Sequence, residues 1–262
     1  MDSNTYSRIR DSLGSHRDIE RVTRDFSQPV GVISAILGQK IVSNVKQIHG
    51  RIKSQSKKHV IAWDRGDTIL NIANKNEIPA TLMASMILKE MGHSKKYISR
   101  MFKDTNNIQD KRIRDEIVQA LNSDHFFSPR AHLIQVEKAK MGENIIEKWL
   151  ESHNIGYRNE TELRNSGMAR TPDCVLDTTL AINDKEVSWI ESKALFGDEN
   201  EHKYYSNKQF RYYEQEYGAG MVVYWYGYLD SITLDGHLIK NHEFFDGASA
   251  DVQALLNLGC YW

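Results

Sequence analysis

The stretch Val187–Ala194, which reads VSWIESKA, decides the fold of the second half of the chain. Its β-branched and aromatic residues, alternating with polar ones, are typical of a β-strand. Since side chains two residues apart on a strand point the same way, Glu191 and Lys193 share one face. Ile190 and Ala194 occupy the opposite face, which we expect to be core. The stretch therefore places a carboxylate and an ammonium side by side on a strand.

Further strands and helices surround this stretch. Helical spacing of apolar residues predicts one helix at Glu137–His153 and another at about Ser206–Tyr217. Short runs of β character predict three more strands: Ile155–Tyr157, Asp173–Ile182 and Met221–Tyr228. The order helix, strand, strand, strand, helix, strand predicts an α+β domain in which the apolar last strand is buried.

The residues that carry chemistry lie on two neighbouring strands. Asp173, the last residue of Thr171-Pro172-Asp173, begins the strand before the one that holds Glu191 and Lys193. Carboxylates are hard oxygen ligands, so Asp173 and Glu191 suit Mg²⁺ or Mn²⁺, and the main-chain carbonyl of Ser192 can add a further ligand. Lys193 can orient an attacking water and offset charge that grows on a phosphate. The pattern predicts metal-dependent hydrolysis of phosphodiester bonds.

This arrangement is the PD-(D/E)xK pattern, which arises often by chance when it stands alone. For the bare pattern alone, a surface Glu–Lys pair on an edge strand is the better explanation. Its surroundings favour the catalytic interpretation, because the motif lies on strands in the expected order and Glu143 lies on the preceding helix as an additional acidic ligand. The following helix carries Gln209 and Tyr213, whose spacing of four residues puts both on one helix face.

The first half of the chain is predicted to be helical. Apolar residues at steps of three and four run from Val30 to Ile48, and a second helix–turn–helix pattern covers Thr68–Ala73 and Ala80–Met91. In a DNA-binding helix-turn-helix the second helix, Ala80–Met91, would enter the groove, although it has few basic residues before Lys89. Helix pairs of this kind are also common packing units that read no DNA, so both interpretations stay open.

A basic stretch lies between these two helical patterns. From residue 26 to residue 63 the chain has no Asp or Glu and six Lys or Arg: Lys40, Lys46, Arg51, Lys53, Lys57 and Lys58. A solvated helix face followed by a linker at KSQSKK explains such a run, and so does a surface that contacts phosphates. The position beside helix-turn-helix patterns keeps nucleic-acid binding by these six residues as a prediction.

The charge distribution separates the two halves. The chain has 262 residues and a net charge of −1. Residues 1–130 hold 22 Lys and Arg against 14 Asp and Glu, whereas residues 131–262 hold 12 against 21. This split predicts two domains, a helix-turn-helix-like domain at 1–130 that faces nucleic acid and a catalytic domain at 131–262.

Composition excludes several classes of protein. With 40% apolar and 26% charged residues and only short apolar runs, the chain is predicted to be globular and to have no membrane partner. The N-terminus lacks the apolar core of a signal peptide, and two cysteines are too few for a disulfide scaffold, so we expect an intracellular protein. The dipeptide Asp235-Gly236 predicts a hairpin turn, and we expect Trp262 to pack on the core.

From about Gly142 to Gly227 the sequence resembles the TPD-motif family of PD-(D/E)xK nucleases. The matching stretches are Thr171-Pro172-Asp173, Trp189-Ile190-Glu191-Ser192-Lys193-Ala194, Phe196-Gly197-Asp198-Glu199, Gln209-Phe210, Gly218-Ala219-Gly220 and Val223-Tyr224-Trp225-Tyr226-Gly227. The N-terminal half is similar, more loosely, to the family's helix-turn-helix region, notably in Leu82-Met83-Ala84 and Ile87-Leu88.

This resemblance implies a restriction-endonuclease-like αβββαβ domain in which the helix face of Gln209 and Tyr213 lines the active cleft. It implies nuclear and cytoplasmic placement if the source is a eukaryote, and cytoplasmic placement if it is a prokaryote. It also implies codanin as a partner where the source organism has it.

We therefore expect a nuclease that uses Mg²⁺ or Mn²⁺ and cuts DNA, with five catalytic residues: Asp173, Glu191, Lys193, Gln209 and Tyr213. The alternative is a DNA- or protein-binding scaffold on a nuclease fold, with little activity. The motif leaves open whether RNA is the substrate, which nucleic-acid structure is cut, and whether the chain forms a homodimer.

Overall fold

The computed structural model describes residues 1–234, 237–246 and 249–259. They form two compact units, one of Met1–Leu37 with the chain from Gln135 onward, the other of Gly38–Ile134. The turn predicted at Asp235-Gly236 and the packing predicted for Trp262 fall outside the described residues. Among these residues no helix combines the length and the apolar character that crossing a bilayer requires.

Helices occur in both units. They are α1 (Ser3–Ser12), α2 (Ile19–Phe26), α3 (Val30–Ser54), α4 (Ser56–Asp64), α5 (Ile69–Lys75), α6 (Ala80–Glu90), α7 (Lys95–Lys103), α8 (Lys111–Ser123), α9 (Pro129–Ser152), α10 (Glu160–Asn165), α11 (Glu199–Tyr205), α12 (Arg211–Tyr217) and α13 (Ala250–Asn257). A π-helical turn, Ser206–Phe210, joins α11 to α12. Short 3-10 turns lie at His16–Asp18, Thr105–Asn107, Asp230–Leu234 and His242–Phe245.

The unit that contains the C-terminal part of the chain is built on a five-stranded mixed sheet. Its strands, in spatial and chain order, are β1 (Tyr157–Asn159), β2 (Cys174–Ile182), β3 (Lys185–Lys193), β4 (Gly220–Tyr224) and β5 (Leu238–Lys240). The first three strands pair antiparallel, whereas β3, β4 and β5 run parallel. The predicted α+β class is confirmed, whereas α10 between β1 and β2 and the fifth strand were not predicted.

The centre of the sheet is fully buried, as the apolar sequence of β4 predicts. Every residue of β4 is buried, and Trp189 and Ile190 of β3 are 0% exposed. Gly220 is required by packing, because a Cβ at this position would overlap the Trp189 indole. The predicted helix at Ser206 begins earlier, at Glu199, where Asp198 caps the backbone N–H groups of Asn200 and Glu201.

The first 37 residues belong to the sheet unit, which differs from the predicted domain at 1–130. The Tyr6 ring stacks on Phe196 with 5.3 Å between centroids, and the amino group of Met1 donates to the carbonyl of Tyr228. Such contacts between distant parts of the chain leave no local pattern in the sequence. Residues 1–37 carry five basic and five acidic residues, so the whole net charge of +8 lies on Gly38–Ile134.

The other unit, Gly38–Ile134, packs its helices around α6. Seven of the eleven residues of α6 are buried, and α6 contacts α4, α5, α7 and α8. Of the two interpretations left open for this helix, its burial favours the packing unit over the one in which it enters a DNA groove. The KSQSKK segment is not a linker either, since α3 and α4 are separated only by Gln55.

Candidate active site

The pairing of β2 with β3 brings the three motif residues together. Cys174 pairs with Ile190 in the antiparallel register, so Asp173, one residue before β2, comes opposite Glu191. The Asp173 carboxylate accepts a hydrogen bond from the backbone N–H of Ser192 at 2.7 Å. This bond fixes the Thr171-Pro172-Asp173 segment against the end of β3, as strand register requires.

Glu191 and Lys193 form an ion pair on the same face of β3. Their side chains are 4% and 11% exposed, so the pair is almost removed from water. The Lys193 ammonium donates to Oε1 of Glu191, whereas Oε2 is buried and has no hydrogen-bond partner among the described residues. A buried carboxylate oxygen without a partner is costly unless a ligand or cation satisfies it.

The carboxyl groups of this site hold their protons more tightly than ordinary carboxyls. Burial, followed by repulsion from Asp173, raises the pKa of Glu191. Burial is also the main cause that raises the pKa of Asp173, against the lowering effect of the Ser192 N–H and of Lys193. On α9, burial and then Asp173 raise the pKa of Glu143 to about 7. Burial, more than repulsion between the carboxylates, therefore disfavours the ionised forms of these groups.

Gly142 allows α9 to pack closely against the sheet, which places Glu143 at the site. Trp225 donates its indole N–H to Oγ of Ser192 at 2.8 Å, and Gly142 of α9 lies directly on this pair. A Cβ at Gly142 would lie 2.8 Å from Ser192 Oγ and would overlap Nε1 of Trp225. Glycine is thus required by the close approach of helix and sheet, and the adjacent Glu143 comes near Asp173 as a result.

Two further acidic residues, Glu147 and Glu160, lie near the site and were not identified from the sequence. Repulsion from Glu147 and Glu160 contributes to the raised pKa of both Asp173 and Glu143. Glu147 follows Glu143 by four residues on α9, so helical spacing could have indicated it. Glu160 could not be found this way, because it reaches the site through the bond from its backbone N–H to the carbonyl of Asp173.

The donor set fits a hard divalent cation that keeps part of its water shell. Asp173 and Glu191 offer carboxylate oxygens, one of them without a partner. Among the described residues no three His, Cys, Asp or Glu side chains are close enough to cage an ion by themselves. Mg²⁺ typically binds through one or two carboxylates together with waters and substrate phosphates, so two carboxylates are sufficient for it.

Gln209 and Tyr213 lie together, as their spacing predicts, and Tyr213 contacts the backbone of the Thr171-Pro172-Asp173 segment. The Gln209 amide donates to the Tyr213 hydroxyl at 3.3 Å, and this hydroxyl donates to the carbonyl of Thr171 at 2.9 Å. Tyr213 is 2% exposed and packs edge-on against Trp189. Gln209 lies in the π-helical turn, a feature common at functional sites, and its Oε1 is buried without a described partner.

Tyr205 is a further site residue that the sequence did not single out. Its ring lies under the Lys193 ammonium, 4.5 Å from the ring centroid, and Phe210 is next at 5.9 Å. An aromatic face attracts a cation, more strongly when water is excluded. The ammonium is thus held between Glu191 and an aromatic ring. The only signal in the sequence was that four tyrosines lie close together along the chain: Tyr204, Tyr205, Tyr212 and Tyr213.

The predicted nucleic-acid residues lie on α3 and α4, in the other unit. Five of the six are exposed and Lys40 is partly exposed. Exposure is necessary for phosphate contact but is also what a solvated helix face shows. Nucleic-acid binding therefore remains a prediction for all six residues, Lys40, Lys46, Arg51, Lys53, Lys57 and Lys58.

Comparison with known proteins agrees with the motif. Residues 109–243 match the model of the family described as a protein of unknown function with the TPD sequence motif. CDAN1-interacting nuclease 1 of Homo sapiens is 28% identical over 233 residues, which cover 82% of this chain and 83% of that protein. The protein of the same name from Xenopus laevis is 32% identical over 183 residues, covering 66% and 60%. The one from Gallus gallus is 26% identical over 277 residues, covering 95% of each chain.

A comparison with solved structures found no match. The relatives are named as nucleases, and the matched family segment contains Asp173, Glu191, Lys193, Gln209 and Tyr213. More than half of the chain lies in that segment, and the relatives extend the likeness over most of the remainder. The chain belongs to the TPD sequence-motif family.

Proposed function

We propose that the chain is a metal-dependent nuclease of the PD-(D/E)xK type that hydrolyses phosphodiester bonds of DNA. The observation that carries this proposal is the buried group of Asp173, Glu191 and Lys193, in which one Glu191 oxygen has no described partner. A protein that used this fold only as a scaffold would gain stability by replacing buried acids with apolar residues, so the group favours an enzyme.

Asp173 and Glu191 would hold Mg²⁺ or Mn²⁺ together with the main-chain carbonyl of Ser192, and Glu143, which does not complete a three-carboxylate cage with them, would contact the ion through its bound water. The bound cation would supply Lewis-acid charge next to the scissile phosphate. The Ser192 N–H orients the Asp173 carboxylate, and α9 holds Glu143 at the end of the sheet. The raised carboxyl pKa values support this assignment, because a nearby cation would stabilise the ionised forms.

Lys193 would orient the attacking water and offset charge on the phosphate. Its ammonium has a third N–H direction left after the contacts with Glu191 and Tyr205, which hold it in place. Gln209 would contribute a hydrogen-bond acceptor through Oε1, which is buried without a described partner. Tyr213 would act as a positioning residue, since its hydroxyl is bonded to the backbone of Thr171.

Two further lines support the proposal. Apart from α10 between β1 and β2, the elements α9, β1, β2, β3, α11 with α12, and β4 follow the αβββαβ order expected of a restriction-endonuclease-like core, and β5 is added after them. The names of the relatives state a nuclease in each case. We also propose that Gly38–Ile134, with its net charge of +8, provides the phosphate affinity through a helix-turn-helix-like arrangement.

The test is cleavage by purified variants with matched controls. Asp173→Asn keeps an acceptor for the Ser192 N–H but removes a charged ligand, and Lys193→Ala removes the ammonium. Asp177→Asn and Lys185→Ala make the same changes at exposed positions of β2 and β3. With Mg²⁺ or Mn²⁺, cleavage should be lost in the first pair and kept in the second.

The substrates should include duplex, single-stranded, flap and junction DNA, together with RNA. Wild-type cleavage rates in both Asp173→Asn and Lys193→Ala would refute the assignment. If the wild-type chain cuts none of these substrates, and its Mn²⁺ binding does not depend on Asp173 and Glu191, the scaffold alternative replaces it.

We further propose codanin as a partner in organisms that have it, because the relatives are named for interaction with CDAN1. The chain would then act inside the cell, in the nucleus and cytoplasm of a eukaryote. Co-purification of tagged chain with codanin tests the partner, and light scattering of the pure chain distinguishes monomer from homodimer.

A further inference from the structure

A basic helix face outside the predicted basic stretch lies on α7. This helix has the sequence KKYISRMFK and contains no acidic residue. At about 100° per residue, Lys95, Lys96, Ser99, Arg100 and Lys103 fall within an arc of about 140°. All five are exposed. The arc holds four positive charges, half of the net +8 of its unit.

The four cations are not neutralised by the protein itself. None of them forms an ion pair with a residue in the part of the chain that the structure describes. Two other exposed lysines of the same unit form ion pairs, Lys75 with Asp67 and Lys111 with Asp115, whereas the exposed lysines of α3 and α4 do not in the described part of the chain. What distinguishes α7 is that four unpaired cations share one arc of a single short helix, an arrangement that a polyanionic partner would neutralise.

The opposite side of α7 fixes this face in place. Ile98 and Met101 are 4% and 5% exposed and belong to the apolar core around α6. At one edge of the arc, the Arg100 guanidinium lies 5.7 Å from the centre of the Tyr97 ring, and His93 stacks on the same ring at 5.3 Å. A cation held in this way loses less freedom on binding than a free one.

We propose that α7 is the helix that enters the major groove of duplex DNA, with Lys95, Lys96, Arg100 and Lys103 at its phosphates and base edges. This inference rests on the proposed function for the nature of the partner. The length of α7 is about 13.5 Å, and a major groove about 12 Å wide admits one helix. The basic arc itself contains no aromatic residue, and Tyr97 lies only at its margin, unlike the stacking platforms that bind single strands.

This assignment differs from both sequence-based expectations. Helix α6 is enclosed by the core, and the stretch from Lys40 to Lys58 is spread along two helices. Helix α7 follows α6 after a turn of four residues, Met91–Ser94, which is the connection expected before a recognition helix.

The experiment measures duplex DNA binding by the full chain in EDTA, as a function of salt, by fluorescence anisotropy. The test variant is Lys96→Ala with Lys103→Ala. The control is Lys75→Ala with Lys111→Ala, which removes two equally exposed lysines from the same unit, each paired with an acid. Circular dichroism and a thermal melt confirm that both variants are folded, which exposed Lys→Ala changes in helices should not disturb.

Loss of two phosphate contacts should flatten the slope of log K against log salt by about 1.8 and weaken binding at least about tenfold near 0.1 M salt. The control should bind as the wild type does. Equal affinity and slope in test variant and wild type would overturn the inference, as would a loss confined to single-stranded DNA or RNA. Cleavage that depends on Asp173 and Lys193 is a separate measurement, so the nuclease proposal can stand if this one fails.

Discussion

Replacing Gly142 by alanine tests how closely α9 must approach the sheet. The new Cβ would lie 2.8 Å from Ser192 Oγ and closer still to Nε1 of Trp225, whereas carbon atoms normally stay about 3.5–4.0 Å from their neighbours. Either α9 must move by about 1 Å or the 2.8 Å bond between Trp225 and Ser192 must break. Trp225 is fully buried, so its indole has little room to move away.

The magnitude follows from three contributions. Overpacking of this kind costs about 1–3 kcal/mol, and a lost hydrogen bond adds about 1 kcal/mol. Alanine gains about 1 kcal/mol over glycine in a helix interior. We therefore expect Gly142→Ala to lower the free energy of unfolding by about 1–3 kcal/mol. Gly50→Ala is the matched control, because Gly50 lies on α3 with no atom within 4 Å of its added Cβ, and it should stabilise by about 0.5–1 kcal/mol.

The same substitution should impair cleavage, since Glu143 moves with Gly142. A displacement of about 1 Å at a catalytic group commonly costs about a hundredfold in rate. The assays are urea unfolding followed by circular dichroism and DNA cleavage at saturating Mn²⁺. If Gly142→Ala proved as stable as Gly50→Ala and cut DNA at the wild-type rate, the close approach of α9 to Ser192 and Trp225 would be refuted.

Two further predictions concern the charges of the site. The pKa of Glu143 is raised from 4.5 to about 7, so its carboxylate costs stability that is absent below about pH 4.5 and complete above about pH 7. Because the side chain is half-buried and partly screened, Glu143→Gln should stabilise the metal-free chain by about 1–2 kcal/mol at about pH 8. At about pH 4 the substitution should have no effect on the free energy of unfolding, which urea unfolding measures at both pH values. Equal effects at the two pH values would contradict this prediction. Tyr205→Leu should lower the cleavage rate by about 5- to 30-fold, because it removes the aromatic ring beneath Lys193. Tyr205→Phe keeps the ring and should keep most of the rate. Equal cleavage rates in the two variants would show that the ring beneath Lys193 does not contribute to cleavage.

The local parts of the site could be predicted because they depend on periodicities that are visible in one sequence. Alternation along β3 put Glu191 and Lys193 on one face, and the four-residue spacing put Gln209 beside Tyr213. The apolar run of β4 indicated a buried strand, and all of its residues are buried.

Other parts depend on contacts between distant residues and could not be predicted. Helix α1 has one buried residue, Ile9, so it shows no apolar stripe that would reveal it. The packing of residues 1–37 with the sheet rests on single contacts such as Tyr6 with Phe196. The contact of Tyr205 with Lys193 joins the end of α11 to the end of β3, and no local pattern in the sequence indicates it.

The sequence by itself determined the α+β class and the placement of Glu191 beside Lys193 on one strand, because these follow from residue type and spacing along one element. Only the tertiary structure decided which helix faces are covered. The apolar stripe of α6 resembled that of an exposed helix, yet four neighbours enclose it, whereas α7 buries Ile98 and Met101 and leaves its cations outside. Burial is a property of the surroundings, and so is the raised pKa of Glu143, since both depend on residues remote in sequence that meet only after folding.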